Sequence, residues 1–190
     1  EDLLEDSGTA VINADESYAE HIASVCQNRC LSVLYYGNNG DRVRLVKLSL
    51  ENGGQLMTIN IDGRLYHAHI PLVGKFQASN VLCAASLALA IGIETDVLIS
   101  ALERLQGVPG RMELIGNNSS GGCVYVDYAH KPDALKHALQ ALRQHTVGKL
   151  IVLFGCGGER DHEKRPEMGR LASELADKVF ITDDNPRGER

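Results

Sequence analysis

The sequence predicts an α/β protein in two parts, and three observations carry that reading. Residues 123–182 alternate short apolar runs with amphipathic stretches, the rhythm of βαβ units and a parallel sheet. Residues 43–70 hold three alternating runs separated by Gly-containing turns, which read as an antiparallel extension. Between these regions, Gly107-Val108-Pro109-Gly110 interrupts a helical pattern with linker residues, dividing the chain into 1–107 and 108–190.

In the first part, Thr9–Asn13 is a predicted strand, and Asp15 is expected to cap a helix running to about Cys26. Leu31–Tyr36 is a second apolar strand. Val43–Leu50, Gln55–Ile61 and Arg64–Ile70 follow, separated by Asn52-Gly53-Gly54 and Asp62-Gly63. Asp-Gly between alternating runs signals a type I′ hairpin, because that turn needs two residues at positive φ. From Phe76 to Ile91 the small and apolar residues predict a helix buried on most sides. A second helix, capped by Thr95, is expected to reach about Leu105. Met57 and Met112 read as core filler.

In the second part, Cys123–Asp127 is a strand, and Pro132–His145 is a helix with Pro at its first turn. Leu150–Phe154 is a strand, Pro166–Ala176 a helix and Val179–Thr182 a strand. Each strand runs straight into a polar cluster: Asp127–His130, Gly155–Asp161 and Asp183–Arg187. Ligands of open α/β sheets bind beyond the carboxyl ends of strands, so the topology is expected to bring all three clusters to one edge.

Composition narrows the function. At 44% hydrophobic and 23% charged residues, the 190-residue chain has the makings of a packed core. The net charge of −6 argues against a nucleic-acid or anionic-membrane partner. Seven of the 19 basic and 13 of the 25 acidic side chains lie in 1–107, so all of the net acidity belongs to the first part. No apolar run approaches the roughly 20 residues that span a bilayer, and the acidic start Glu1–Asp6 is unlike a signal peptide. Five Cys with no C-x-x-C pair fit reduced thiols and a cytoplasmic location better than a disulfide framework or a zinc site.

Several clusters have chemistry to offer. Asp127 has the acceptor that a ribose hydroxyl needs and His130 an imidazole for a phosphate, although a helix cap and a loop lining explain them equally well. The Gly155–Asp161 loop, with three Gly, Arg160 and the nearby Lys164 and Arg165, resembles an anion- or carboxylate-binding loop. It lacks the last Gly of a dinucleotide fingerprint, which makes a dehydrogenase the weakest reading. Asp183-Asp184-Asn185-Pro186-Arg187 joins an amide, a rigid turn and a guanidinium suited to bidentate carboxylate capture, or forms a solvated turn. Gly74-Lys75-Phe76 lacks the earlier Gly and the hydroxyl of a phosphate loop. His67 and His69 share a strand face with no third metal ligand in view, and no metal site is assigned.

Taken together, Gly110-Arg111-Met112-Glu113, Val126–Asp133, Phe154–Asp161, Lys164-Arg165-Pro166 and Asp183–Arg187 resemble the Mur ligase family, in family order and spacing. Val11–Asp15 and Gly74–Asn80 match as well, so the resemblance covers nearly the whole chain. It implies the second half of a central ATPase domain over 1–107, carrying the antiparallel strands. Over 108–190 it implies the first half of a Rossmann-like, amino-acid-binding domain. The Asp-Asn-Pro-Arg form resembles the members that add meso-diaminopimelate to UDP-MurNAc-L-Ala-D-Glu in peptidoglycan precursor synthesis. Lysine-adding relatives lack the Arg, and lysine has no distal carboxylate for Arg187 to bind.

The resemblance implies a sequence of bond changes: ATP phosphorylates the substrate carboxylate, the incoming amine attacks the acyl phosphate, and a tetrahedral intermediate expels phosphate. ATP and Mg²⁺ are the implied cofactors. Carried over by position, His130 is catalytic, in the phosphate region. Asn80, Arg111 and Asp127 contact adenine, nucleotide and ribose. Arg160, Asp184, Asn185 and Arg187 hold diaminopimelate, with Arg187 on its distal carboxylate. Gln77 and Lys131 depart from the family pattern and are expected to touch none of these residues. The family's phosphate loop, magnesium carboxylates and modified lysine have no counterpart among the 190 residues, so the chain alone is expected to be inactive and to need the remainder of a longer ligase. Other readings are a lysine-adding or cyanophycin-synthetase-like ligase, and a non-catalytic nucleotide-binding module.

Overall fold

A computed structural model describes residues 7–51 and 53–189; the acidic start and Asn52 lie outside them. The chain divides into two compact units, Glu1–Gln106 and Gly107–Arg190.

The first unit is built on a five-stranded sheet, β1 (Thr9–Asn13), β2 (Ser32–Gly37), β3 (Val43–Glu51), β4 (Gly54–Ile61) and β5 (Arg64–Ile70), in that spatial order. β1, β2 and β3 pair in parallel, and β3, β4 and β5 in antiparallel. β1 and β2 are covered on both faces. Ala10 and Ile12 pack with Ala19, Ala23 and Cys26 of α1 (Ala19–Asn28), while Leu34 and Tyr36 join the main core beneath α2 (Lys75–Ala90). β4, flanked by β3 and β5, contributes Met57, Ile59 and Ile61, each almost fully buried, and α3 (Thr95–Leu102) adds Leu98 and Leu102. Asp62 (φ 48°) and Gly63 (φ 86°) both take positive φ between paired Ile61 and Arg64, the type I′ geometry that the Asp-Gly pair predicted.

Local expectations fail here in three places. Asp15 caps no helix: α1 begins at Ala19, and the Asp15 carboxylate instead accepts from the backbone and side-chain N–H groups of Asn38 and Asn39 at 2.8–3.0 Å. Partial burial pushes its carboxyl up, but those four bonds outweigh this and hold it below the ordinary carboxylate value. Thr95 is the first helical residue of α3, behind Glu94, and makes no cap, and the helix ends at Leu102 rather than 105. α2 buries one stripe, Gln77, Ala78, Val81, Leu82, Ala85, Ser86 and Leu89, because only one side meets the sheet and α3. Phe76, Leu87 and Ile91 stay exposed.

The second unit holds β6 (Glu113–Asn117), β7 (Cys123–Val126), α4 (Pro132–His145), β8 (Ile151–Phe154), α5 (Lys164–Leu175) and β9 (Lys178–Ile181). β8 and β9 pair in parallel as the alternation predicts. β7 does not extend that sheet. It pairs antiparallel with β6, a strand that the sequence hid between a Gly/Pro linker and an Asn-Asn-Ser-Ser-Gly-Gly turn and that carries a register irregularity between Leu114 and Gly116. α4 and α5 close over the inner side of β8 through Leu135, Leu139, Met168 and Ala172. α5 starts at Lys164, two residues before the expected Pro166, whose missing N–H is harmless in a first turn. Asp177 ties the bottom of this core. It accepts from the Leu150 backbone N–H (2.7 Å) and from the Arg143 guanidinium, which together hold its carboxyl below the ordinary value.

Candidate functional site

The second unit contains an open cleft of about 990 Å³ at the carboxyl ends of β8 and β9. His130, Arg160, Asp184, Asn185 and Arg187 line it, together with Lys164. Residues from all three polar clusters therefore reach one cleft, although β7 does not ladder with β8.

Two loops form the cleft by zipping together. The β8–β9 ladder continues past its strands through the Thr182 N–H on the Phe154 carbonyl (3.0 Å), a bridge between Gly157 and Asp184, and the Gly158 N–H on the Asn185 carbonyl (3.1 Å). The loop glycines serve this approach. A Cβ on Gly155 would stand 2.5 Å from the Thr182 carbonyl oxygen, and one on Gly158 only 1.9 Å from that of Pro186. Neither has a positive φ, so the requirement is space rather than conformational freedom. The left-handed positions fall instead on Glu159 (φ 53°), Asn185 (φ 45°) and Arg187 (φ 52°), where a side chain makes that region unfavourable.

Arg187 donates one N–H to the Gly158 carbonyl at 2.7 Å. A guanidinium has five N–H donors, so four have no hydrogen-bond partner among the described residues. Across the cleft, His130 Nδ1 lies 3.1 Å from the Tyr128 carbonyl, and the two rings meet edge-on with centroids 5.1 Å apart. The Lys164 ammonium donates to the His130 carbonyl (2.8 Å), fastening the turn before α4 to the first turn of α5.

Three expected residues do not line the cleft. Asp127 accepts the Met112 N–H through Oδ2 (2.8 Å), which steadies a left-handed residue at φ 48°; Oδ1 has no partner among the described residues. Arg111 lies 5.3 Å over the Tyr128 ring, a cation–π contact. Asn80 belongs to the first unit, exposed on α2. Its amide donates to Gln77 Oε1 at 3.1 Å, so the expectation that Gln77 touches no assigned residue is wrong: the two are three apart on one helix and share a face. Beneath this turn, fully buried Gln55 donates to the Leu72 and Gly74 carbonyls, both at 2.9 Å, fixing the entry to α2. His67 and His69 bond to Thr58 and Glu51, and no group of three His, Cys, Asp or Glu among the described residues is placed to hold a metal ion.

Sequence reasoning missed Glu189. Its carboxylate takes Nη1 and Nη2 of Arg165 (2.8 and 3.1 Å) and the Glu159 N–H, with His162 Nε2 at 3.3 Å. The Arg165 hydrogen bonds and then the Glu159 N–H drive its carboxyl down to about 2. The loop read as a carboxylate binder thus grips a carboxylate of its own chain. No spacing rule links residues 165 and 189, and only the fold brings them together.

This architecture, a mixed β-sheet unit followed by a βαβ unit with a Gly-loop and an Asp-Asn-Pro-Arg turn, places the chain by class. The Mur ligase middle domain model matches residues 2–88, and the Mur ligase glutamate ligase domain model matches residues 110–190. The chain belongs to the Mur ligase family.

Within that family it is similar to the UDP-N-acetylmuramoyl-L-alanyl-D-glutamate–2,6-diaminopimelate ligase of Rhizobium meliloti, 45% identical over 187 residues, covering 98% of this chain and 38% of the relative. The ligase of the same name from Zymomonas mobilis is 47% identical over 182 residues, covering 96% and 37%. A solved structure of a UDP-N-acetylmuramoyl-L-alanyl-D-glutamate–2,6-diaminopimelate ligase superimposes with a TM-score of 0.71 at 33% identity, covering 96% of this chain and 38% of that one. MurF from Acinetobacter baumannii gives a TM-score of 0.79 at 22% identity, covering 94% and 39%, a likeness of fold. The chain spans about two fifths of the length of the curated relatives it matches. No helix among the described residues is long and apolar enough to cross a membrane.

Proposed function

We propose that this chain is part of an ATP-dependent ligase that joins meso-diaminopimelate to UDP-MurNAc-L-Ala-D-Glu, with 1–107 from its central domain and 108–190 from its amino-acid-binding domain. The observation that carries the reading is the Asp184-Asn185-Pro186-Arg187 turn, seated on the Gly155–Asp161 loop with Arg187 and Asn185 lining the cleft. A fixed guanidinium with donors to spare suits the second carboxylate of a diamino diacid, and a lysine side chain offers nothing for it to bind. Arg160, Asp184 and Asn185 supply the remaining polar contacts that hold the amino acid while its amine is aimed at the activated carboxyl.

For the nucleotide, Asp127 keeps one carboxylate oxygen uncommitted among the described residues, the acceptor that a ribose hydroxyl needs. Arg111, stacked on Tyr128, brings positive charge beside the nucleotide, and His130 faces the phosphate region. Asn80 is assigned to adenine, with Gln77 orienting its amide. The described residues do not offer the clustered ligands that magnesium needs. By the same reading the 190-residue chain alone has no ligase activity, and the complete ligase works in the cytoplasm.

The test is phosphate release from ATP by the complete ligase, with UDP-MurNAc-L-Ala-D-Glu and either meso-diaminopimelate or lysine. Turnover with diaminopimelate and less than a hundredth of it with lysine is expected. Equal turnover with both, or a rate indifferent to either, defeats the proposal.

A further inference from the structure

The cleft-forming turn is held in a conformation that its own residues disfavour. Asn185 and Arg187 are both left-handed, at φ 45° and 52°, and neither is glycine. Left-handed side-chain residues persist where surrounding contacts over-determine them, so the turn needs anchors at both ends. On one side stands the Gly158 N–H on the Asn185 carbonyl. On the other stands Glu189, whose own N–H closes back on the Pro186 carbonyl at 2.9 Å.

Glu189 in turn is fixed by Arg165, in the first turn of α5, through a two-point guanidinium–carboxylate contact. Arg165 Nη2 also reaches the Gly157 carbonyl at 3.2 Å, so one guanidinium joins helix, Gly-loop and turn. The Glu159 N–H adds a third donor to the Glu189 carboxylate, and the Gly188 N–H donates to Glu159 Oε1 at 3.2 Å. Neither Arg165 nor Glu189 lines the cleft, so any effect on a ligand must travel through the residues between them.

We propose that Arg165 and Glu189 form a positioning clamp that locks the Asn185–Arg187 turn against the Gly155–Asp161 loop and so presets the amino-acid pocket. The proposal rests on reading the cleft as the diaminopimelate site. A two-point fork restricts direction as well as distance, which a single ammonium does not. The clamp thereby fixes where the Arg187 guanidinium stands before substrate arrives, removing an ordering cost from binding.

Four variants of the complete ligase test this: Glu189→Gln, Glu189→Asp, Arg165→Lys and the exchanged pair Arg165→Glu with Glu189→Arg. Two readouts are taken, amide hydrogen exchange over 155–165 and 183–189, and KM for diaminopimelate beside KM for ATP. Glu189→Gln is expected to speed exchange in both segments at least tenfold and to raise KM for diaminopimelate about tenfold. KM for ATP and kcat at saturation stay within twofold. Glu189→Asp and Arg165→Lys keep the charges, keep the fold and give intermediate values, and the exchanged pair recovers most of both losses.

Unchanged exchange in Glu189→Gln and Arg165→Lys refutes the clamp whatever the activity. Faster exchange with an unchanged KM for diaminopimelate refutes the positioning role, and an equal rise in KM for ATP reduces the pair to general stability. A parent enzyme indifferent to diaminopimelate defeats the substrate reading instead, while the exchange measurements still decide whether the clamp exists.

Discussion

Replacing Arg187 by Ala is the sharpest probe of the substrate reading. The guanidinium gives one N–H to the Gly158 carbonyl, and its other N–H groups meet no acceptor among the described residues. Hydrogen bonds to charged groups are worth about 1.5–3 kcal/mol each. Two of them in an open, partly solvated cleft, taken at the lower bound, give roughly 3 kcal/mol. At about 1.4 kcal/mol per tenfold change, KM for diaminopimelate rises on the order of 100-fold. Ala is as disfavoured as Arg at φ 52°, so the change removes the side chain without altering backbone strain. Arg187→Lys keeps the charge but loses the fork, and about tenfold is expected. The assay is steady-state phosphate release with ATP, diaminopimelate or lysine varied in turn; KM for ATP should move by less than twofold, and the residual rate with lysine should not change. An equal loss for ATP and diaminopimelate would refute the reasoning, since it would trace the effect to the Gly158 loop rather than to recognition.

Two further expectations concern stability. Met168 is fully buried among Leu135, Leu139, Leu150 and Ala172, with its sulfur 3.8 Å from Cys156 Sγ, so Met168→Ala should destabilise the second unit by about 2–5 kcal/mol, and Met168→Leu by less than about 1.5. Urea unfolding measures both, and a loss below about 1 kcal/mol for the Ala variant would show that the core collapses around the gap. Glu189 titrates at about 2 in the folded protein, against 4.5 for a free glutamate, so its stabilisation is complete above pH 4.5 and is lost as pH falls towards 2. Urea midpoints taken between pH 5 and 2 should therefore fall more steeply for the parent than for Glu189→Gln, and parallel curves would count against the assignment.

Much of the frame was legible because its signals are local. Asp62-Gly63 specified a two-residue turn, and both residues take the positive φ that it demands. Pro132 marked the start of α4, and the alternation of 150–182 specified a parallel strand pair. Failures came where a residue's partner lies far along the chain. Asp15 has the chemistry of a helix cap, but Asn38 and Asn39, 23 and 24 residues on, offer its carboxylate four donors. β7 belonged by rhythm to the parallel sheet, yet β6, a strand with an irregular register, claims its edge. Asn80 and Gln77 are the exception: their i, i+3 spacing on a helix was enough to predict the contact.

The candidate site shows the same division with a consequence for how its residues are tested. Sequence patterns name the two loops but treat them separately, with glycines supplying freedom in one and a guanidinium supplying charge in the other. In the folded unit each loop fixes the other. Pro186 fills the space that a side chain on Gly158 would need, Arg187 holds the Gly158 carbonyl, and Glu189 closes on Arg165 beyond them. Residues coupled in this way do not have additive energies, because removing any one relaxes the geometry that the others depend on. The size of a loss therefore says little about whether a residue touches substrate. What separates a binding group from a positioning group here is the pattern: Arg187 should shift KM for diaminopimelate without changing hydrogen exchange at 164–165, where α5 begins, whereas Glu189 and Arg165 should change both.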